Sequence, residues 1–318
     1  MSELRSTTTG FEGPLHRFIS LLITFLMGSA LSSSICQAQI PSNARIQKPN
    51  LAKQFKYLKL IASRYSSHAS LIRYGTSVRG RPLYAIKITS PSAQEHPGPK
   101  PAVLITGTTH GNEYLDIVPR LALHFAKKQP TLSPAREFLN AGGSLIIIPF
   151  VNPDGYANNT RNNANDVDLN REFTLTPNQP QLRQPETQSL LNFLQSELQH
   201  HDLQLLLSMD YHCCNGSLLF PRSFRHKPHS ALDKSRLRLV AESMQETLGK
   251  DYVFGTTIKV LGYQASGTSK DYYYASFGAQ AFTFEGKERL ENRNIEKHKR
   301  WWGKILKHLT QANKNLSH

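Results

Sequence analysis

Cysteine and long apolar segments are both scarce in this chain of 318 residues. Three cysteines are too few for a small scaffold held together by disulfide bonds. The clearest apolar run, residues 18–31, is shorter than the roughly 20 residues that a membrane-spanning helix needs, which excludes a multi-span membrane protein. Hydrophobic residues make up 39% and charged residues 19% of the sequence, which excludes a wholly disordered or collagen-like chain. A folded globular protein with a sizeable core remains.

Acidic residues are also in short supply, because 23 Asp and Glu stand against 38 Lys and Arg and leave a net charge of +15. A charge of this size bears on partners and solubility rather than on the fold. For an exported protein it favours anionic polymers, acidic peptides or lipid headgroups as neighbours, and we expect no nucleic-acid partner. The alternative is that the lysines are scattered and only solvate the surface.

The N-terminus has the pattern of an export signal. Arg5 and Arg17 accompany the apolar residues 18–31, and Cys36 and Ala38 occupy the −3 and −1 positions of a cleavage site. We therefore predict a signal peptide over residues 1–38, a linker over 39–50, and a periplasmic or secreted protein with no stable membrane insertion after signal removal. The alternative is an uncleaved signal that remains as an N-terminal anchor.

Apolar strands alternate with helical segments along the rest of the chain. The strand-like runs, which are rich in aliphatic residues, are 102–106, 144–150, 203–211 and 281–285. The segments with helical spacing are 51–65, 114–128, 184–199 and 293–309. This alternation predicts one α/β/α domain over residues 51–312, with a mixed, mostly parallel twisted sheet covered by helices on both faces, and a tail at 313–318.

Polar residues that suit metal chemistry follow the predicted strands. His110 and Glu113 come after the strand at 102–106, and an imidazole and a carboxylate three residues apart can bind one cation such as zinc. The alternative for this pair is a helix start with a capping carboxylate. His212 ends a later strand, and a His₂Glu set leaves one position open for catalysis. Glu285 ends the last strand, where a carboxylate outside the metal set could act as a base.

The order of these motifs resembles the zinc metallocarboxypeptidases related to pancreatic carboxypeptidase A. The resemblance covers roughly residues 50–310 and includes a hairpin motif, Gly75-x-Ser77-x-x-Gly-Arg-Pro-Leu83. The other matching pieces are His110-x-x-Glu113, Asn152-Pro-Asp-Gly155, Arg161, Asp168-Leu-Asn-Arg171, His212, Tyr263-Gln-Ala-Ser-Gly-Thr-Ser269 and Phe282-Thr-Phe-Glu285.

The resemblance implies a role for each catalytic position. His110, Glu113 and His212 would ligate one zinc ion, and Glu285 would be the general base toward a water whose pKa the zinc lowers. Arg161 would polarise the scissile carbonyl and stabilise the oxyanion. The alternative for Arg161 is a solvated loop charge, because it lies in an Asn-rich stretch that is shorter than in the digestive enzymes.

The resemblance also implies how the substrate is bound. Asn170 and Arg171 would hold the free terminal carboxylate of a peptide, since the planar guanidinium fork grips both oxygens. The alternative is that these two residues cap and pair locally. Tyr263 would close over the substrate, although the aromatic residues 272–274 compete for this assignment as core or rim residues.

Lys270 occupies the position that lies at the base of the side-chain pocket in this family. A buried ammonium group requires an anion, so we predict a preference for substrates with an acidic group at or near the terminal residue. Candidates are C-terminal Glu or Asp, or diaminopimelate through its second carboxylate. The alternative is that Lys270 extends to solvent.

Cys213 and Cys214 directly follow the third predicted ligand. Adjacent cysteines rarely bridge each other, so we expect two small buried cysteines and no stabilising disulfide. A thiolate that rivals His212 as a zinc ligand is the alternative.

The sequence thus predicts an exported, monomeric zinc metallocarboxypeptidase that acts on peptides with a free C-terminal carboxylate. One alternative is a murein peptide amidase that cuts the γ-D-Glu–diaminopimelate bond of cell-wall stem peptides. Another is an N-acyl amino acid deacylase, which shares the His-Gly-Asn-Glu tetrad but not the Asn152–Gly155 and Tyr263–Ser269 motifs. A non-catalytic wall-binding module would lack a ligand or Glu285, and all four residues are present.

Overall fold

The computed structural model describes residues 49–92, 98–127, 132–176, 179–180, 182–224, 230–288 and 295–316. The predicted signal peptide and nearly all of the predicted linker lie outside these residues. Within them, no helix has both the length and the apolar content needed to cross a bilayer.

A mixed eight-stranded sheet forms the centre of the domain, in the spatial order β1-β2-β4-β3-β7-β10-β8-β9. A separate two-stranded ribbon joins β5 to β6. The strands are β1 (Ala69–Thr76), β2 (Pro82–Ile88), β3 (Lys100–Gly107), β4 (Ser144–Ile148), β5 (Leu175–Thr176), β6 (Gln179–Pro180), β7 (Leu203–Cys213), β8 (Ser217–Phe220), β9 (Val253–Thr256) and β10 (Gln280–Gly286). The central strands β4, β3, β7 and β10 are parallel to one another, whereas β1, β2 and β8 pair antiparallel.

Helices cover both faces of this sheet. They are α1 (Leu51–Arg64), α2 (Ile117–Ala126), α3 (Pro134–Asn140), α4 (Pro153–Asn158), α5 (Pro185–His200), α6 (Ala231–Thr247), α7 (Thr257–Leu261), α8 (Ser269–Phe277) and α9 (Ile295–Leu316). Side chains alternate along the central strands, so that Val103 and Ile105 pack with α2 and α9 in one core while Leu104 packs with α5 and α8 in the other. The predicted α/β class with a mixed, mostly parallel sheet is confirmed.

Some elements differ from the sequence prediction in their extent. Residues 152–173 belong to none of the predicted helices or strands, yet they contain α4 and a short 3₁₀ turn (Leu169–Arg171). The side chain of Asn152 accepts a hydrogen bond from the backbone nitrogen of Gly155, and Pro153 begins the helix, which is the usual start of a helix. Helix α9 continues to Leu316, into the segment that we expected to be a tail.

The C-terminal helix is anchored beneath the strand that carries His212. Trp302 donates its indole N–H to the hydroxyl of Tyr211 (2.8 Å), and that hydroxyl lies 3.3 Å from Nδ1 of His298. The His298 ring is fully buried among Tyr211, Phe284 and Trp301, and its Nε2 has no partner among the described residues. Burial without a charged neighbour lowers the pKa of His298 to about 3.

Acid should therefore destabilise the domain through His298. The unfolded chain binds a proton here near pH 6.5 and the folded one only near pH 3, so stability is lost as the pH falls through that window. The expected loss is about 3 kcal/mol between pH 7 and pH 4, at about 1.4 kcal/mol per pKa unit. In His298→Asn, which keeps an acceptor for Tyr211, this part of the loss should vanish. Urea unfolding across this pH range measures it.

The matched control is His201→Asn, because His201 is exposed at the C-terminal end of helix α5, and this variant should keep the pH dependence of unfolding of the wild type. An identical pH dependence of unfolding in the wild type and in His298→Asn would show that His298 is not the group responsible.

Candidate metal centre and substrate pocket

The carboxyl ends of the central strands bring the predicted site residues together. His110 and Glu113 follow β3, and His212 lies near the end of β7. Glu285 on β10 is the register partner of His212, so the two side chains leave the same face of the sheet. There is no room for a side chain at Gly111, because a Cβ there would lie 2.0 Å from the backbone of Gly155. The loop after β3 is thus packed tightly against the start of α4.

Three ligand atoms converge at this point. Oε2 of Glu113 lies 2.9 Å from Nδ1 of His110 and 2.9 Å from Nδ1 of His212, and the two Nδ1 atoms are 3.0 Å apart. His110, Glu113 and His212 form the one group of metal-ligating side chains found among the described residues. No cysteine belongs to it, so the structure gives no support to a thiolate ligand.

Two carboxylates, the half-buried Asp168 and the buried Asp210, orient the imidazoles from behind. Nε2 of His110 lies 2.9 Å from Asp168, and Nε2 of His212 lies 2.8 Å from Asp210. Asp210 also accepts hydrogen bonds from the hydroxyls of Thr106 and Thr109. Such carboxylate–histidine pairs fix the tautomer of metal ligands. With each Nε2–H directed at a carboxylate, both Nδ1 atoms turn lone pairs toward the Glu113 oxygen.

This arrangement fits a divalent cation. Three acceptor atoms that face one another repel unless a positive charge lies between or on them. Burial raises the pKa of Glu113, but the neighbouring imidazoles of His110 and His212 outweigh burial and hold that pKa well below the usual range. Burial likewise opposes the charge of His212, yet Asp210 and Glu113 raise its pKa well above normal. In both cases the site demands positive charge beside the carboxylates.

Sequence reasoning did not single out Asp210. The sequence feature that could have identified it is its position two residues before His212 on one strand, because residues two apart on a strand have side chains on the same face. Asp168 appeared only as part of a motif. Its role becomes visible once the loop after α4 folds back onto His110.

Glu285 stands beside the three ligands without joining them. Burial raises its pKa to about 7, with the charge of His212 opposing and that of Glu113 adding to the rise. Among the described residues, its side chain has no hydrogen bond or ion pair, and its register partner on β8 is Ser217. A carboxylate in this state can take up and release a proton near neutral pH.

Arg161 lies against the metal-ligating group rather than free in solvent. Its Nη1 donates to Oε1 of Glu113 (2.8 Å), and its Nη2 donates to Oδ2 of Asp168 (3.0 Å). Its backbone carbonyl accepts from the nitrogen of Gly111 (3.1 Å) and from the side-chain amide of Asn152 (3.3 Å). These contacts explain why the Asn152 motif accompanies the His110 motif: it holds the Arg161 loop in place.

The segment after α7 docks onto the Asp168–Arg171 turn. The nitrogen of Ser269 donates to Oδ1 of Asn170 (3.0 Å), and Gly267 accepts from the nitrogen of Phe173. Gly267 has a φ of +73°, and a Cβ there would lie 2.1 Å from the Arg171 carbonyl oxygen, so only glycine fits. Asn170 and Arg171 are thereby fixed beside helix α8.

Tyr263 is not drawn into this cluster. It follows the left-handed cap at Gly262, its side chain is 49% exposed, and no hydrogen bond to another described residue holds it. Of the three competing aromatics, Tyr272 and Tyr273 are buried in the core beside α5, and Tyr274 is half-buried with its hydroxyl donating to Asp233. The structure therefore leaves Tyr263 exposed and gives its three rivals other surroundings.

Lys270 is buried rather than extended to solvent, so the alternative of a solvent-exposed Lys270 is wrong. It is 2% exposed, and its Nζ donates to Oγ of Ser223 (2.6 Å). Ser223 in turn donates to Asp271 (3.0 Å) and accepts from Thr257 (3.0 Å). Among the described residues no carboxylate lies within ion-pair distance of the Lys270 ammonium group. Sequence reasoning missed Ser223, whose place in the pocket depends on a turn that no motif marks.

Burial lowers the pKa of Lys270 to about 8, even though Asp271, Glu285 and Asp210 raise it. The hydroxyls of Ser217 and Thr283, on the same face of the sheet as Glu285, are also buried and have no partner among the described residues. This side of the site is therefore polar, with a cation and two unsatisfied hydroxyls.

A disulfide joins Cys213 to Cys214, and their peptide bond is cis. The expectation of two small unpaired cysteines is therefore wrong. Cys213 is buried against the core that contains Tyr211 and Phe284, whereas Cys214 is exposed.

Comparisons with known proteins agree with this geometry. Residues 55–298 match the Peptidase_M14 family, described as zinc carboxypeptidase. Carboxypeptidase SOL1 of Arabidopsis thaliana is 29% identical over 253 residues, which are 72% of this chain and 48% of the plant protein. A protein of Uncinocarpus reesii called inactive metallocarboxypeptidase ECM14 is 32% identical over 108 residues, 31% of this chain and 18% of that protein. The chain thus spans about half or less of the length of these curated relatives.

Solved structures show the same fold at low identity. Carboxypeptidase A from Helicoverpa armigera has a TM-score of 0.64 and 20% identity, over 91% of this chain and 80% of that one. Bovine thrombin-activatable fibrinolysis inhibitor has a TM-score of 0.65 and 19% identity, over 84% and 98% of the two chains. Zinc as the cofactor agrees with the matched family and with the His-Glu-His group. Because the family match spans most of the domain, this chain belongs to the zinc carboxypeptidase family.

Proposed function

We propose that this protein is a zinc-dependent carboxypeptidase that hydrolyses the C-terminal peptide bond of substrates with an acidic group near that end. The observation that carries the proposal is the meeting of His110 Nδ1, His212 Nδ1 and Glu113 Oε2 within 3.0 Å of one another, beside a Glu285 that has no partner among the described residues. His110, Glu113 and His212 are the residues that would hold zinc. The chemistry supplied by a bound zinc ion is Lewis-acid polarisation and acidification of a water molecule.

Glu285 is the proposed general base. Its pKa of about 7 leaves a large carboxylate fraction at neutral pH, yet keeps the protonated form acidic enough to donate. In the first step Glu285 takes a proton from the attacking water. In the second it passes this proton to the nitrogen of the departing amino acid, so that the C–N bond breaks without releasing an unprotonated amine.

Arg161 and the Asn170–Arg171 pair are the proposed substrate-binding groups. Negative charge develops on the carbonyl oxygen as water adds, and the guanidinium of Arg161 beside Glu113 can donate to it. Asn170 and Arg171 would bind the terminal carboxylate, which restricts cleavage to the last peptide bond. Tyr263, exposed at the rim, would cover the bound terminal residue.

The acidic preference follows from Lys270. Among the residues that the structure describes, the buried ammonium has a hydroxyl but no carboxylate as its partner. Such burial is costly, and a substrate carboxylate would compensate that cost. The unsatisfied hydroxyls of Ser217 and Thr283 add to the polar character of this side of the site. An aliphatic or aromatic terminal side chain would gain little here.

A second candidate, a murein peptide amidase, rests on the same observation. Diaminopimelate carries a second carboxylate that could pair with Lys270, and a chain of +15 suits an anionic cell wall. For either activity we propose export to the periplasm or the medium, supported by the signal-like residues 1–38, and action as a monomer.

Release of the terminal residue from blocked dipeptides ending in Phe, Lys or Glu, and from L-Ala-γ-D-Glu-diaminopimelate, tests the activity. Glu285→Gln should lose about 10² to 10⁴ of the wild-type kcat because the proton transfers fail. The exposed Glu288→Gln is the matched control and should retain full activity. Cleavage of the stem peptide alone would favour the amidase, whereas cleavage of none of these peptides would contradict both proposals.

If the Lys270 ammonium group causes the preference for acidic substrates, that preference should depend on pH. The quantity to measure is the ratio of kcat/KM for a Glu-ended dipeptide to kcat/KM for a Leu-ended one, because the titration of Glu285 affects both substrates and cancels. This ratio should fall as the pH rises through about 8, because the Lys270 ammonium group of the free enzyme becomes a neutral amine. Asp271, Glu285, Asp210 and Arg171 are the charged groups that act on it. In Lys270→Met the ratio should drop about 10-fold to 100-fold at pH 7, the equivalent of one charged hydrogen bond.

Lys259→Met, which removes an exposed lysine from nearby helix α7, should leave the ratio unchanged. A preference for Phe or Lys in the wild type, or an unchanged ratio in Lys270→Met, would contradict the acidic assignment.

A further inference from the structure

Arg161 connects two carboxylates that serve the metal-ligating group. Its Nη1 donates to the Glu113 oxygen Oε1, and its Nε and Nη2 donate to the Asp168 oxygen Oδ2 at 3.2 and 3.0 Å. Asp168 is also the carboxylate that orients His110 through its other oxygen. A single guanidinium thus contacts one ligand directly and a second ligand through its orienting partner.

This contact divides the two oxygens of the Glu113 carboxylate between the imidazoles and Arg161. Oε2 faces the two imidazole nitrogens, whereas Oε1 is occupied by Arg161. The backbone of Arg161 is fixed by Gly111 and Asn152, so the guanidinium is held close to the group rather than brought there from a mobile loop. Its side chain is 42% exposed, and the contact therefore lies at the edge of the site.

We propose that Arg161 limits how tightly the His110–Glu113–His212 group binds zinc. A fixed positive charge beside the group repels a dication and competes with it for the carboxylate of Glu113. Without Arg161, the carboxylates of Glu113 and Asp168 would have no guanidinium partner in the metal-free protein. A bound dication would then stabilise these two negative charges more than it does in the wild type, and zinc would bind more tightly. The inference uses the metal site of the proposed function but does not depend on peptide hydrolysis.

This role differs from oxyanion stabilisation. An arginine that only stabilised the oxyanion would leave zinc affinity untouched when removed. An arginine that only held the loop in place would lower the affinity on removal, since the ligands would lose their alignment. Electrostatic competition predicts the opposite direction, namely tighter zinc binding together with slower turnover.

Zinc titration of the purified protein against a chelator of known affinity tests the inference. Arg161→Met should bind zinc about tenfold more tightly than the wild type, and the difference should shrink at high salt, because the guanidinium is partly exposed. Arg161→Lys keeps the charge and should have a zinc Kd close to that of the wild type. If metal-free Arg161→Met does not fold, the rate of zinc loss from the loaded protein to chelator is measured instead and should be slower than in the wild type.

Arg120→Met is the matched control, because Arg120 on helix α2 pairs with Asp116 just before that helix and has a similar exposure of 43%. It should not change the zinc Kd. The inference would be overturned if Arg161→Met bound zinc no more tightly than the wild type. It would also be overturned if Arg161→Lys bound zinc as tightly as a tighter-binding Arg161→Met. An inactive wild-type protein that still showed this order of affinities would refute the proposed function alone, whereas an active one without it would refute only the inference.

Discussion

Mutual repulsion of three acceptor atoms is the constraint on which this structure depends. The Nδ1 atoms of His110 and His212 and one oxygen of Glu113 meet within 3.0 Å, which is stable only with positive charge close by. The sheet makes the meeting unavoidable, because the ligands follow neighbouring parallel strands. The orienting carboxylates Asp168 and Asp210 then remove any freedom for the imidazoles to turn away. Backbone topology sets the positions, and buried charge sets the chemistry.

The motifs outside the ligand set make sense as supports for this convergence. Asn152 starts helix α4 and at the same time donates to the backbone carbonyl of Arg161. Asp154, fully buried, accepts from the backbone nitrogen of Arg79 and from the side chain of Arg81 in the hairpin that joins β1 to β2. Segments far apart in the sequence are thus tied together by hydrogen bonds around one edge of the sheet. A metal centre alone would require only three residues. The hydrogen bonds that hold these segments together explain why the sequence carries a longer series of motifs.

The fold class and the His-Glu-His group could be predicted from the sequence because each leaves a local signal. Aliphatic strands alternate with helices, and His110 and Glu113 lie three residues apart at a strand end. Other features leave no such signal. Ser223 reaches Lys270 through a turn in which Arg222 has a φ of +69°, and the disulfide between Cys213 and Cys214 contradicts the usual behaviour of adjacent cysteines. Long-range packing determines these features, and no short pattern encodes it.

Net charge is a poor guide to the interior of this site. The chain carries +15, yet the ligands are surrounded by the carboxylates of Asp168, Asp210 and Glu285 as well as that of Glu113. Surface lysines are screened within about 10 Å at ordinary ionic strength, so they can concentrate anionic substrates near the protein but cannot select a side chain inside it. A buried cation whose nearest described partner is neutral could select one. Lys270, which donates to Ser223 rather than to a carboxylate, is such a cation, so the acidic preference that we propose rests on its local environment rather than on the bulk charge.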